Sequence, residues 1–249
     1  MAIVGIAFGL GFVLGPALGG YASSWDWSAN SESALALTPF SLAALISFCL
    51  ALVNWTWLAM RFREPLPADK RGEGNGQPRP AIFQIKRVAN PAVRRTCLSY
   101  LCYMVSFSGM EFTLTFLAVE RYLYEPRDIT SMFLLIGFTL IFAQGFFVRR
   151  FVGKIGEKNM ALQGIFLGFF AFIMLALPSS EIWFFFALFL MSCGVAFISP
   201  TLTALTSLHS SEKDQGFNLG IFRSSGSIAR ACGPMLAGLT YFLFGSTFA

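Results

Sequence analysis

The segment Gly11-Phe12-Val13-Leu14-Gly15-Pro16-Ala17-Leu18-Gly19-Gly20 has an echo near the other end of the chain, Gly233-Pro234-Met235-Leu236-Ala237-Gly238. In a helix, Gly11, Gly15 and Gly19 fall four residues apart on one face, where the absence of side chains lets another backbone come close. Pro16 removes one intrahelical hydrogen bond and favours a bend. Aligned on Gly15 and Gly233, the copies share Gly, Pro, Leu and the final Gly, with Ala237 standing where the first copy has Gly19. Small residues at this spacing alone describe an ordinary packing seam, common in membrane helices. The Gly-Pro-x-x-Gly-Gly ending and its return read more sharply, as an internal repeat.

Both copies sit inside long apolar runs. The 249-residue chain is 55% hydrophobic and 12% charged, with 29 Phe, which is more apolar surface than a soluble domain of this length hides. A bilayer core about 30 Å thick needs about 20 apolar residues per helical span. Seven runs qualify, at about residues 3–21, 37–60, 97–119, 129–148, 160–177, 182–205 and 219–244. The fold class this implies is all-α, a polytopic membrane helical bundle of about seven transmembrane helices.

Charge gives the orientation. Of the 18 Lys and Arg residues, all but Arg121, Arg127 and Arg230 fall in residues 61–96, 149–158 and 209–223. These are the loops after spans two, four and six, so the positive-inside rule makes them cytosolic, with the N-terminus inside and the end of the seventh span outside. The opposite loops carry Asp26, Glu32, Glu120, Glu125, Asp128 and Glu181 beside Arg121 and Arg127. A seven-helix receptor would show the reverse asymmetry. The net charge of +5 thus reflects topology and gives no reason to propose nucleic-acid binding. The first span lacks the basic n-region and small-residue cleavage site of a signal peptide. Both Gly-Pro copies then lie late in spans running outward, six spans apart, the pattern of two six-helix halves related by an axis along the membrane normal.

Enzymatic and metal chemistry find little support. Cys49, Cys97, Cys102, Cys193 and Cys232 lie in or beside the apolar runs without Cys-x-x-Cys spacing, and His209 is the one histidine, so no zinc site or disulfide framework is indicated. No Gly-x-x-x-x-Gly-Lys-Ser/Thr phosphate loop occurs. The longest polar stretch, 61–96, is dense in Pro, Gly and charge around residues 64–78 and reads as a flexible linker. Its second part, 81–95, is either a basic helix on the inner leaflet or a solvated loop whose charges only set topology.

With these residues in view, the chain resembles proton-coupled drug exporters of the major facilitator superfamily. The antiporter signature at the end of their fifth helix, Gly-x-x-x-Gly-Pro-x-x-Gly-Gly, falls on Gly11, Gly15, Pro16, Gly19 and Gly20, while an upstream glycine of the longer signature falls on Ala2, a departure. Residues 145–158, with Arg149, Arg150 and Gly156, resemble the second-half form of the family's cytosolic basic loop, without the acidic residue of the first-half form. A loop that merely sets topology is the plainer reading of the same charges. Residues 215–234, and Phe107-Ser108-Gly109-Met110-Glu111-Phe112, are similar to the eleventh and seventh helices of the tetracycline-transporter-like branch.

The resemblance implies a partial major facilitator fold covering the fifth to eleventh of twelve helices. Residues 1–60 would be the last two helices of the first half, 61–96 the cytosolic linker, and 97–249 the second half without its last helix. It implies transport of small organic solutes, by proton-coupled antiport or efflux of amphipathic or anionic compounds, with a proton as coupling ion and no cofactor. The alternative is a truncated, non-transporting membrane segment that associates with the missing half or with another chain. Besides lipid and solute, no other partner is implied.

Two charges inside the spans carry the mechanistic expectation. Glu111 lies about 15 residues and Arg230 about 12 residues from the cytosolic ends of their spans, so at about 1.5 Å per residue their depths agree. A mid-bilayer charge costs at least about 2.5–3.5 kcal/mol on insertion scales. Glu111 is therefore expected to be the coupling or substrate-binding acid, with Arg230 holding an anionic group of the solute. A permanent Glu111–Arg230 pair that only fixes packing is the structural alternative. Tyr103, Ser106, Ser108 and Gln144 are candidates for cavity hydrogen bonds. The abundant Phe residues read as lipid-facing or core filler.

Overall fold

The computed structural model of the chain describes residues 7, 10, 11, 13–15, 18, 19, 39–63, 85–177 and 180–245. All regular structure among them is helical, including the described residues between 7 and 19. Six helices among the described residues are long and apolar enough to cross a membrane, and the run at 3–21 lies partly outside those residues. The chain divides into two compact units, Leu14–Arg79 and Met1–Val13 with Pro80–Ala249.

In the smaller unit, α1 (Pro39–Arg61) is apolar on all sides and exposed along its spanning segment, as a helix bathed in lipid is. Its hydroxyls are turned back on its own backbone: Ser47 donates to the Ala43 carbonyl at 3.0 Å and Thr56 to that of Leu52 at 2.7 Å. Arg61, at the end of the helix, lies over the Trp57 ring at 5.7 Å, a cation–π contact.

In the larger unit, the described residues after Val13 resume with one 3-10 turn, Ile85–Arg87, and the buried Val88. Helix α2 (Pro91–Tyr122) follows. It starts six residues before the expected 97 because Asn90 is an N-cap, its side chain accepting from the Ala92 N–H, with Pro91 in the first turn. Both residue types favour a helix start. The basic helix envisaged over 81–95 is therefore not a separate surface element: 85–87 form a single turn, 91–95 open α2, and 81–84 lie outside the described residues.

The next span is a composite rod. Helix α3 (Pro126–Phe142) runs into a π segment, Ala143–Val148, and on into α4 (Arg149–Ile155). Gly156, at φ +82°, ends it, a backbone region that glycine adopts at no steric cost. Helices α5 (Glu157–Ala176), α6 (Glu181–Leu208) and α7 (Gln215–Phe244) complete the unit.

Packing is concentrated in two helix pairs, α2 with α7 and α5 with α6, while α6 also meets α2, α3 and α7. Glycine makes both pairs. A Cβ on Gly194 would sit 2.8 Å from the Gly164 carbonyl oxygen, and one on Gly164 2.7 Å from Ile198 Cγ1. In the other pair, a Cβ on Gly233 would sit 2.7 Å from the Val105 carbonyl oxygen and one on Gly109 2.8 Å from Ala237 Cβ. Such backbone approach is how membrane helices gain dispersion energy when lipid supplies no hydrophobic drive.

Candidate solute site

Tyr100, Met104, Phe107, Glu111, Leu114 and Ala118 fall at alternating spacings of four and three along α2, which puts them on one face. Five of them are buried, and Glu111 is half-buried among them. A carboxylate on the core face of a membrane helix is expensive unless something offsets it. Across the α2–α7 pair, Arg230 lies within electrostatic reach of it, its own side chain exposed. The glycine crossing explains the juxtaposition, since Gly109 is two residues from Glu111 and Gly233 three from Arg230.

Pro234 contributes to the same crossing. Lacking an N–H, it leaves the carbonyl of Arg230, four residues earlier, without its helical donor. The Ser108 hydroxyl of α2 donates to that carbonyl at 3.5 Å, the kind of rescue by a neighbouring helix that makes proline tolerable in a membrane. Helix α7 continues through Pro234 without interruption. Gly238 is also engaged, a Cβ there standing 3.3 Å from the Phe112 ring.

The first copy of the repeat behaves differently. A Cβ on Gly11, Gly15 or Gly19 would meet no heavy atom within 4 Å, so the close approach expected of this ladder is not made among the described residues. Pro16 and Gly20 lie outside them. In the basic segment, Arg149 and Arg150 are exposed on α4; the turn itself is only Gly156.

Of the polar residues expected to face a cavity, Ser106 donates to the Cys102 carbonyl of its own helix at 3.3 Å. Tyr103 Oη and Gln144 Oε1 are buried and make no hydrogen bond. Tyr103 stacks on Phe107 at 6.0 Å, and Gln144 sits in the π segment. A separate cavity of about 480 Å³ lies between α2, α5 and α7, lined among others by Ser106, Thr113, Leu175, Ala237, Thr240 and Tyr241. Neither Glu111 nor Arg230 lines it. The hydroxyls of Thr113 and Thr240 donate to carbonyls of their own helices, which commits their protons and leaves the oxygens able only to accept.

Sequence reasoning missed a polar cluster at the other end of α2. The Arg121 guanidinium donates to three carbonyls at the C-terminus of α5, those of Leu175 at 2.8 Å, Ala176 at 3.1 Å and Leu177 at 3.3 Å. Glu120 accepts from the Tyr241 hydroxyl of α7. Tyr124 donates to Glu181 at 2.8 Å, and burial together with that carboxylate pushes the Tyr124 phenol well above its usual range. The signal was an Arg on the basic-poor side of the membrane, adjoining the apolar run and counted only as loop charge. At the opposite end, Asn90 Nδ2 donates to the His209 carbonyl at 2.7 Å, tying the start of α2 to the end of α6. Among the described residues no group of three His, Cys, Asp or Glu is placed to hold a metal.

Membrane-length helices that cross closely at glycines define a polytopic membrane bundle. The model of the Major Facilitator Superfamily matches residues 1–248, and the chain belongs to that family. The human major facilitator superfamily domain-containing protein 10 is 29% identical over 99% of this chain and 54% of its own length. The class B tetracycline resistance protein of Escherichia coli is 25% identical over 96% of this chain and 56% of its own. A crystal structure described as the human organic anion transporter MFSD10 (TETRAN) superposes with a TM-score of 0.81 at 28% identity, covering all of this chain and 59% of that one. The chain thus spans about half the length of the curated relatives it matches.

Proposed function

We propose that this chain forms the part of a membrane carrier that recognises small organic anions and couples their movement to protons, by antiport or efflux. The observation that carries the reading is Glu111 on the core face of α2 with Arg230 within electrostatic reach on α7. Arg230 can serve either the Glu111 carboxylate or an incoming anion, so protonation of Glu111 and solute occupancy of Arg230 become thermodynamically linked. The organic anions named for the human structural relative supply the solute class. In this reading residues 1–60 end a first half, 61–96 link it on the cytosolic side, and 97–249 begin the second.

The limited share of the relatives that the chain covers supports a second reading, in which it works only with a further membrane segment or another chain. Glu111→Gln in proteoliposomes tests the first. The variant is expected to retain anion exchange while losing its acceleration by an imposed pH gradient. Unchanged gradient dependence would remove Glu111 from coupling, and no flux from wild type until a partner segment is added would favour the second reading.

A further inference from the structure

The composite rod of α3, the π segment and α4 changes character along its exposed side. From Met132 to Val148 the exposed residues are Phe138, Phe142, Phe146 and Phe147; from Arg149 to Ile155 they are Arg149, Arg150, Gly153 and Lys154. Phe138, Phe142 and Phe146 are 62%, 67% and 52% exposed, and Phe142 stacks on Phe146 at 5.5 Å. A four-residue step overshoots one α turn by about 40°, so a ladder of this spacing drifts around an ordinary helix. The wider winding of the π segment, Ala143–Val148, turns the other way relative to that step and offsets the drift. The three rings therefore stay on one side.

The ladder has the length of one leaflet. Phe138 and Phe146 are eight residues apart, about 12 Å along a helix, against about 15 Å for half of a hydrocarbon core. Basic residues begin where the rings end, on the side that the charge pattern makes cytosolic. Arg149 and Arg150, three and four residues beyond Phe146, flank the line of the rings, and Gly153, seven beyond, continues it with Lys154 alongside. A Cβ on Gly153 would meet no heavy atom within 4 Å, so the helix surface among these three cations is bare.

We infer that this side of the rod binds one anionic phospholipid of the cytosolic leaflet, with an acyl chain along Phe138, Phe142 and Phe146 and the phosphate among Arg149, Arg150 and Lys154. Guanidinium groups hold phosphate oxygens through paired, charge-assisted hydrogen bonds. A zwitterionic headgroup carries the same phosphate with a cation of its own, so net negative charge sets the preference. The aromatic ladder fixes where the chain lies, which charges in a solvated loop do not. The site uses neither Glu111 nor Arg230 and does not depend on the organic-anion reading.

Tryptophan quenching in bilayers tests it. In the 249-residue chain with its five Trp replaced by Phe, Phe142→Trp reports on the ladder. Phe166→Trp, at a 61% exposed position of α5, reports on ordinary lipid contact. Each is titrated with brominated-chain phosphatidylglycerol in phosphatidylcholine. The first reporter is expected to favour phosphatidylglycerol about tenfold or more, and the second to show little preference. Arg149→Gln with Arg150→Gln should reduce the first to the level of the second. Arg94→Gln with Arg95→Gln, which removes the same charge from exposed positions early in α2, should leave it unchanged. In a second measurement with the native tryptophans, phosphatidylglycerol added in detergent should raise the unfolding temperature several degrees more than phosphatidylcholine does, and the Arg149/Arg150 double variant should lose that difference. Equal preference at the two reporters, an equal fall from the two double variants, or no difference between the lipids in unfolding temperature would leave only a general attraction of anionic lipid to basic protein, and would overturn the inference.

Discussion

Arg121 shows how one side chain holds a helix end. The last carbonyls of any helix lack intrahelical donors, and at α5 three of them, those of Leu175, Ala176 and Leu177, accept from one guanidinium. The planar fork of Arg spans several acceptors at once, and its charge complements the negative end of the helix. Replacing it with Leu leaves those carbonyls dependent on whatever water reaches them. Arg121→Leu should therefore lower unfolding stability by about 1–3 kcal/mol. Arg121→Lys, a point charge with no fork, should recover only part of the loss. Thermal unfolding in detergent measures both, and a Leu variant as stable as wild type would show that the carbonyls find other donors. Counting Arg121 as a loop charge missed this contact, because the charge pattern cannot reveal which helix end lies opposite.

Among elements, the membrane helices were legible and their joints were not. Long apolar runs announce spans whatever their neighbours do, so the spans at 97–119, 182–205 and 219–244 were recovered within longer helices. The run at 129–148 gave no sign of a π segment, since Ala143–Val148 continues the same apolar run with Gln144 as its one polar residue, and the change is in backbone winding. Nor could repetition say which Gly-Pro copy packs: Gly233 lies against Val105 and Gly109, while among the described residues nothing comes within 4 Å of a Cβ on Gly15. That contrast makes glycine substitutions informative in the α5–α6 pair. A methyl on Gly164 would stand 2.7 Å from Ile198 Cγ1 and 2.9 Å from the Gly194 carbonyl oxygen, whereas one on Gly168 meets nothing within 4 Å. Gly164→Ala should cost about 1–3 kcal/mol as the pair is forced apart. Gly168→Ala should be neutral or stabilising by up to about 1 kcal/mol, because alanine restricts the unfolded chain. Equal effects from the two, read by thermal unfolding, would mean that the crossing is not the close contact described.

At the scale of the molecule, orientation rests on charge and reaches every loop at once. The segments 61–96, 149–158 and 209–223 hold nearly all the basic residues, and moving such clusters across a membrane is what the positive-inside bias opposes. The helices agree with the alternation this requires. Gly156 joins α4 to α5, and residues 209–214 join α6 to α7; one long helix then separates each of these joints from the loop at 177–180. In a variant lacking its five cysteines, a single cysteine at Lys213 should react with an impermeant maleimide only from the cytosolic side. One at Glu125, exposed beside the start of α3, should react only from the opposite side. Labelling of both from one face would contradict the helix count between them, since α3 with α4, α5 and α6 make three crossings. Labelling with the two sides exchanged would keep the count and invert the whole bundle, placing the Arg121 and Tyr124 cluster in the cytosol and the Asn90–His209 tie outside.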